Sequence, residues 1–597
     1  MTLNESRLEE ALDRLSAPQR RAIEHPGNFS LLARPGSGKT RTVALRLARE
    51  IQLGQKRVAV ASYTNVAVDE VLAVCDSVGI VAGPRHYVGT LHGFLSQYVL
   101  QPNSHMIRSA RGPMLVRDAE WAGWRKVMIG EPSTAPAGVA TDEKKKLPVC
   151  VADFHLDRTG KAICHSSPEA FPGLDPAKAT RLGHKQAHDF KRSHARQGYL
   201  SQSDILYWSL DVLRRSPRIA RALAGRFDEL IVDEAQDTSD VQVACLELLR
   251  DTGRLKSLVV VADLEQSIYG FQGADPERFA AFASKSQLEP LELKQNFRSS
   301  TLICRAASGF TRRDADEAVG ENADCPIRPE VLRYEDDNPA AVIVALRQRL
   351  EVHDLPLNDA VVLARSRKMR DKLNEVERVS CNRVVRALGN AAAVRERGRP
   401  LGATEIRAVE EALLWMIAGE RELVDLDVER RRRLRRLSAE TWRALPRFGE
   451  LTLADWVSQS RVVVSDLLDG FVHAGTELKH PPSQQLKNLK SQRLLLARSQ
   501  FVVNSVELEA RTVHSVKGRS IDSVLLVVEP ATSRRDRARV LCSVDEHGTL
   551  SPEEREELRI GFVSVTRAER YCAVALPDSV PEDVLQRYLK MGFVAVG

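Results

Sequence analysis

Paired cysteines are what this chain most plainly lacks. Its nine cysteines are scattered without a repeating spacing, which excludes a disulfide framework and fits thiols that stay reduced. No apolar run approaches the roughly 20 residues that cross a membrane. The N-terminal ten residues are polar and acidic, so no signal peptide or membrane partner is expected and the expected compartment is the cytoplasm. No internal repeat or long low-complexity segment is present. The net charge is +7, a mild basic excess compatible with a nucleic-acid partner. At 597 residues the chain is too long for one core, so three or four domains or subdomains are expected.

What is present is concentrated first in Ala33-Arg34-Pro35-Gly36-Ser37-Gly38-Lys39-Thr40. A short apolar run at 29–33 reads as a buried strand, and Val43, Leu47 and Ile51 follow at helical spacing. Strand, glycine turn, Gly-Lys-Thr and helix form a phosphate-binding loop. Gly36 and Gly38 let the backbone curl its N–H groups toward phosphate oxygens, and the helix N-terminus adds a positive dipole end. The Lys39 ammonium is placed for the terminal phosphates and the Thr40 hydroxyl for Mg²⁺. Gln19, about twenty residues earlier, carries an amide that suits an adenine edge.

A second signal is Leu230-Ile231-Val232-Asp233-Glu234-Ala235-Gln236-Asp237. A buried strand ending in two adjacent carboxylates is costly unless a metal and a nucleotide lie beside it. Asp233 is placed to hold Mg²⁺ and Glu234 to deprotonate an attacking water. A further apolar strand at 257–262 runs into Gln266, placed to sense a terminal phosphate. Tyr269 and Phe271 beyond it are candidate stacking faces for bases. Strand-end loops at Tyr63-Thr64-Asn65 and at Thr90-Leu91-His92 complete the set, because ligands bind at the strand ends of a parallel sheet.

Residues 106–199 break this rhythm and read as an insertion. A hairpin is expected at 149–165 about Asp157-Arg158-Thr159-Gly160. Cys150, His155, Cys164, His165, His184, His188 and His194 occur there at spacings that match no standard zinc pattern, so incidental residues are the reading taken.

These blocks, in this order, resemble the UvrD/Rep family of superfamily 1 DNA helicases. Lys294-Gln295-Asn296-Phe297-Arg298-Ser299, Val513-His514-Ser515-Val516-Lys517-Gly518 and Val563-Ser564-Val565-Thr566-Arg567-Ala568 resemble the later blocks. The resemblance implies an α/β fold with two RecA-like P-loop motor domains, parallel sheets flanked by helices, each with a mainly helical insertion. The first domain is expected at 1–105, where ATP binds, and 200–285, around the insertion 106–199. The second is expected at 286–380 and 500–597, around a reduced helical insertion at 381–499. It implies that Gln19 reads adenine while Arg41 and Phe297 pack on its faces, and that Gln236 lies beside the acidic pair. It implies that Arg298 and Arg567 act as arginine fingers from the second domain. Tyr63, Thr64, Asn65, Thr90, His92, Tyr269, Phe271 and His514 then fall on a single-strand track. Asp204 matches another family block.

Three departures stand out. Ser520 occupies the position of a family glutamate that contacts the nucleotide sugar, Phe271-Gln272 replaces Trp-Arg, and the interval from Arg298 to His514 is short. Within it, Ile406, Val409, Leu413 and Met416 form one apolar helical stripe, and residues 430–436 hold six arginines. A strand at 571–576 and a helix from residue 582 follow Arg567, and no fused nuclease domain is expected. The implied function is an ATP-dependent 3′–5′ helicase or translocase on single-stranded and tailed duplex DNA, using ATP and Mg²⁺, in repair. The alternative is a DNA-stimulated ATPase serving as motor or sensor subunit beside a protein partner such as a nuclease or repair factor, as in antiviral defence.

Overall fold

The computed structural model describes residues 3–108, 115–116, 126–130, 146–164, 176–270, 273–274, 276–374, 383–396, 398, 400–418, 428–449, 451–469, 508, 510–532, 535–546 and 548–596. Two six-stranded sheets organise it. The first contains β1 (Phe29–Ala33), β2 (Val58–Ser62), β3 (Tyr87–Thr90), β4 (Glu229–Val232), β5 (Ser257–Ala262) and β6 (Glu289–Leu293) in the order β6-β1-β5-β4-β2-β3. Every pairing is parallel. β2, β4 and β5 are buried along their whole length, as expected of strands covered on both faces, which read as unbroken apolar runs rather than alternation.

The second sheet contains β7 (Glu330–Tyr334), β8 (Ala360–Ala364), β9 (Ala510–Thr512), β10 (Ile521–Val527), β11 (Ala568–Pro577) and β12 (Val594–Ala595) in the order β9-β8-β10-β11-β7-β12. It too is parallel throughout. These are the two RecA-like α/β domains. The expected strand at 257–262 falls on β5, and the one at 571–576 lies inside β11. One strand differs from expectation. β6, placed in the second domain from its sequence position, pairs in parallel with β1 from Phe29↔Glu289 to Ala33↔Leu293. It is an edge strand with an alternating burial pattern, so its sequence reveals no sheet of its own. The crossing to the second domain therefore comes after Leu293.

Because the strands are parallel, all their C-terminal ends open on one edge of the first sheet. The phosphate loop follows β1, Tyr63-Thr64 follows β2, Asp233-Glu234 follows β4 and Gln266 follows β5. Helix α1 (Lys39–Leu53) begins at Gly38, whose φ of 74° is left-handed. It buries Val43 and Leu47 against the sheet. Helix α2 (Asn65–Ser77) is capped by Thr64.

In the first insertion the hairpin is shorter than predicted, with Phe154–Leu156 pairing antiparallel with Ala162–Cys164. Asp157 Oδ1 accepts from the N–H groups of Thr159 at 2.8 Å and Lys161 at 2.9 Å, which closes the turn. His165 lies outside the described residues, and among those described no group of His, Cys, Asp and Glu is arranged to hold a metal. Helix α3 (Pro176–Gln197) docks on α4 (Asp204–Arg215) through a fully buried ion pair. Lys191 Nζ donates to both oxygens of Asp204 at 2.9 Å and to Ser201 Oγ at 3.2 Å. In the second insertion Val409, Leu413 and Met416 of the predicted stripe enter a separate helical core with Leu434, Leu437 and Trp456. Arg432, Arg433, Arg435 and Arg436 are exposed, and Arg435 pairs with Glu410 at 2.8 Å. Among the described residues no helix is long and apolar enough to cross a membrane.

Candidate functional site

A cavity of ≈ 180 Å³ lies where the strand ends of the first sheet face the second domain. The phosphate loop from Arg34 to Arg41 forms its floor, Glu234 and Gln266 one wall, and Arg298, Lys517, Ser520 and Arg567 the wall from the second domain. Gly36 and Gly38 both adopt positive φ. A Cβ at Gly38 would meet Gln19 Nε2 at 2.7 Å, and one at Gly36 would meet Asn296 Oδ1 at 2.5 Å. The loop is thus curled and clasped so tightly that side chains are excluded at both positions.

Lys39 Nζ lies 2.7 Å from Glu234 Oε1. Burial works against the Lys39 charge, but Glu234, Asp233 and Asp263 outweigh it and raise its pKa. Glu234 sits at φ 52°, a left-handed backbone held by a non-glycine residue, which is the kind of strain that clusters at functional sites. Gln236 steadies it, donating from Nε2 to Glu234 Oε2 at 2.6 Å while its Oε1 accepts from the Asp263 N–H at 3.1 Å. The two acids titrate apart. Burial and the neighbouring Glu234 charge push Asp233 up. Burial also opposes the Glu234 charge, but Lys39 and Lys517 overcome it and hold its carboxyl down. Both oxygens of Asp233 are buried with no hydrogen-bond partner among the described residues. Two orphaned carboxylate oxygens beside a phosphate loop and the Thr40 hydroxyl form a hard oxygen donor set, and that chemistry fits Mg²⁺.

Across the cavity, Arg567 Nη2 donates to Gln266 Oε1 at 3.0 Å, and Gln266 Nε2 donates to Asp263 Oδ2 at 2.8 Å. Burial and the neighbouring Arg298 lower the Arg567 pKa. Arg298 Nε donates to Ser520 Oγ at 2.7 Å and Nη1 to the Thr566 carbonyl at 3.0 Å. The structure therefore brings together Lys39, Thr40, Glu234, Gln266, Arg298, Ser520 and Arg567, with buried Asp233 and Gln236 behind them.

Other sequence-derived candidates sit differently. Both ends of the Gln19 amide are engaged. Oε1 accepts from the Ser16 N–H at 3.0 Å and Nε2 donates to the Ser37 carbonyl at 2.9 Å, so Gln19 braces the phosphate loop. Ala33, Pro35 and Ser37 are buried in the loop itself, while Arg41 and Phe297 are exposed at its rim. The Arg34 guanidinium leaves the cradle and pairs with Asp316 at 2.9 Å. Tyr269 was expected to offer an open stacking face. It is buried instead, with the Tyr63 ring at 5.1 Å, the His514 ring at 5.7 Å and Lys517 Nζ 5.0 Å from its centroid. The domain contact consumes its faces. Thr64 and Thr90 cap helices, accepting from Ala67 N at 3.2 Å and Gly93 N at 3.0 Å, and Thr64 also borders the cavity. His92 is half-buried near Thr90 and Asn65 is exposed, while Phe271 lies outside the described residues.

Two residues escaped sequence reading. Lys517 Nζ crosses from the second domain to the Asp237 carboxylate and to the Gln266 carbonyl, the latter at 2.6 Å. Glu70, on α2, lines the cavity beside Thr40 and Lys39. An isolated glutamate on a helix carries no spacing signal.

The fold and site define a pair of RecA-like domains that close on a phosphate-binding loop. Residues 15–287 match the UvrD/REP helicase N-terminal domain family. The ATP-dependent DNA helicase UvrD1 of Mycobacterium leprae is 26% identical over 399 residues, covering 62% of this chain and 49% of that protein. DNA helicase II of Escherichia coli is 27% identical over 319 residues, 50% of this chain and 40% of that one. The ATP-dependent DNA helicase PcrA of Staphylococcus aureus is 25% identical over 315 residues, 51% and 41%. This chain is UvrD/Rep-like, and it spans about half the length of the curated relatives it matches.

Proposed function

We propose that this chain is an ATP-dependent DNA helicase or translocase that moves 3′ to 5′ along single-stranded DNA. One observation carries the reading: Lys39 and Glu234 of the first domain, with Asp233 buried behind them, face Arg298 and Arg567 of the second across one cavity. The names of the relatives, all DNA helicases, supply the substrate class.

The residues divide the work as follows. Lys39 exchanges its Glu234 partner for the terminal phosphates of ATP. Thr40 and Asp233 would hold Mg²⁺, which, when bound, neutralises phosphate charge. Glu234, kept ionised by Lys39 and Lys517, takes a proton from the attacking water. Arg298 and Arg567 stabilise the charge that develops on the transferring phosphoryl group. Since these arginines come from the second domain, turnover requires a closed cleft, and the cycle of closing and opening moves the grip on DNA. Binding by phosphate contacts and stacking makes affinity salt-sensitive.

Strand separation on a 3′-tailed duplex, with ATP turnover followed in the same tube, tests this. Unwinding with DNA-stimulated hydrolysis is expected. No turnover in the presence of single-stranded DNA would overturn the reading. Stimulated turnover without unwinding would instead identify a motor that needs a protein partner.

A further inference from the structure

Gln266 and Arg567 meet across the cleft, yet neither is held by the phosphate loop. What fixes them is Asp263, at the end of β5. Its side chain is wholly buried. Oδ2 accepts from Gln266 Nε2 at 2.8 Å, and Oδ1 accepts from the Glu265 N–H at 3.2 Å and from Arg313 Nη2 at 3.1 Å. Arg313 belongs to the second domain, just after the helix Thr301–Ser308. Among the described residues it is the one cation paired with Asp263. Its guanidinium also lies 5.3 Å from the centroid of Phe562, on the helix Pro552–Val565 that leads directly into Arg567. One side chain therefore touches both the acid that orients Gln266 and the helix that carries Arg567.

We propose that Arg313 is a positioning residue for ATP hydrolysis, setting Gln266 against Arg567 when the cleft closes by pairing with Asp263 across it. The inference rests on the ATPase reading above. A buried carboxylate is tolerated only when paired and hydrogen-bonded. Without Arg313, Asp263 loses its ion-pair partner and the Gln266 amide loses a fixed acceptor. The catalytic arginine then approaches a side chain free to turn. Arg313 never reaches the phosphate loop, so the loss falls on turnover and not on nucleotide binding.

A second cross-cleft pair supplies the comparison. Arg34 Nη1 donates to Asp316 at 2.9 Å and to the Asp314 carbonyl at 3.2 Å. It bridges the same two domains but touches neither Asp263 nor Gln266. If domain closure alone mattered, breaking either pair would have the same effect.

The test uses the full chain with saturating single-stranded DNA. Steady-state ATP hydrolysis and the affinities for ADP and for ADP–aluminium fluoride with Mg²⁺ are measured for wild type, Arg313→Gln, Arg313→Lys and Asp316→Asn. Arg313→Gln should lower kcat roughly tenfold or more, the scale of a lost hydrogen bond to a charged group, with KM for ATP little changed. It should also lose the preference for the fluoride complex over ADP. Arg313→Lys restores a cation and should recover part of kcat, and Asp316→Asn should cost less than Arg313→Gln. Wild-type kcat in Arg313→Gln, or equal losses in Arg313→Gln and Asp316→Asn, would overturn the inference alone. A wild-type chain with neither turnover nor a preference for the fluoride complex would overturn the ATPase reading and this inference with it.

Discussion

Glu234→Gln isolates the proposed base from everything else the site does. The replacement keeps the size of the side chain, and its amide oxygen can still accept from Gln236 Nε2, which lies 2.6 Å from Glu234 Oε2. What is removed is the proton acceptor and the negative partner of Lys39. General-base catalysis contributes roughly 10²–10⁴ in rate, or about 3–5 kcal/mol of barrier at 1.36 kcal/mol per decade. The effect on binding has the opposite sign. Before it can grip phosphate, Lys39 must give up an ion pair at 2.7 Å, and hydrogen bonds to charged groups are worth about 1.5–3 kcal/mol net. Removing that competitor should leave ATP affinity unchanged or tighten it up to roughly tenfold, the lower end of that range. DNA-stimulated hydrolysis and titration with a fluorescent ATP analogue read the two quantities separately. A kcat within tenfold of wild type would refute the role of Glu234 as base. Affinity that falls as far as turnover would refute the Lys39 exchange.

Arg567→Ala should leave ATP binding intact and slow hydrolysis by roughly 10³ or more, the scale of an arginine finger; an unchanged rate would mean that the second domain does not complete the site. Lys191→Met removes one partner of a fully buried ion pair and should destabilise the first domain by about 3–5 kcal/mol, whereas replacing Asp204 with Leu as well should recover most of it. Thermal unfolding at wild-type temperature in the single variant would show that the pair does not anchor α3. Burial holds the His92 imidazole down to about 4, and burial with Arg365 and Lys517 does the same for His514. The unfolded chain therefore binds more protons between about pH 6.5 and 4, so the stabilising contribution is present above that window and is lost as pH falls through it. Melting temperature followed from pH 7 to 4.5 should drop less in His92→Gln than in wild type, and identical profiles would contradict the assignment.

What was legible in the sequence follows from chemistry that is local along the chain. A buried parallel strand must be an unbroken apolar run, so β5 and β11 stand out. The residues of the cavity and those just behind it cluster after such strands, because the parallel topology brings the strand ends to one edge. Gly36, Lys39, Thr40, Asp233, Glu234 and Gln266 are readable for that reason. β6 was assigned to the wrong sheet because an edge strand with one exposed face carries a weak signal, and its partner β1 lies about 260 residues earlier in the chain. The surroundings of Tyr269 were not legible, because an aromatic two residues from another fits a stacking platform and a domain contact equally well. Only the position of Tyr63 and Lys517 in space separates the two.

The least legible features are those that make the two domains act as one. Lys517 reaches Asp237, Arg313 reaches Asp263 and Arg34 reaches Asp316 across the cleft, and no sequence spacing relates the partners. Each of these carboxylates is buried or nearly so, while the cations come from the opposite domain. Opening the cleft therefore takes the Lys517 and Arg313 charges away from the acids at the ends of β4 and β5, and leaves Lys39 to face them and Glu234 together. Their mutual repulsion then falls on the very strand ends that hold Glu234 and Gln266. The charges that assemble the catalytic geometry are thus the ones that resist separation of the domains, which couples closure to catalytic competence without a dedicated hinge signal in the sequence.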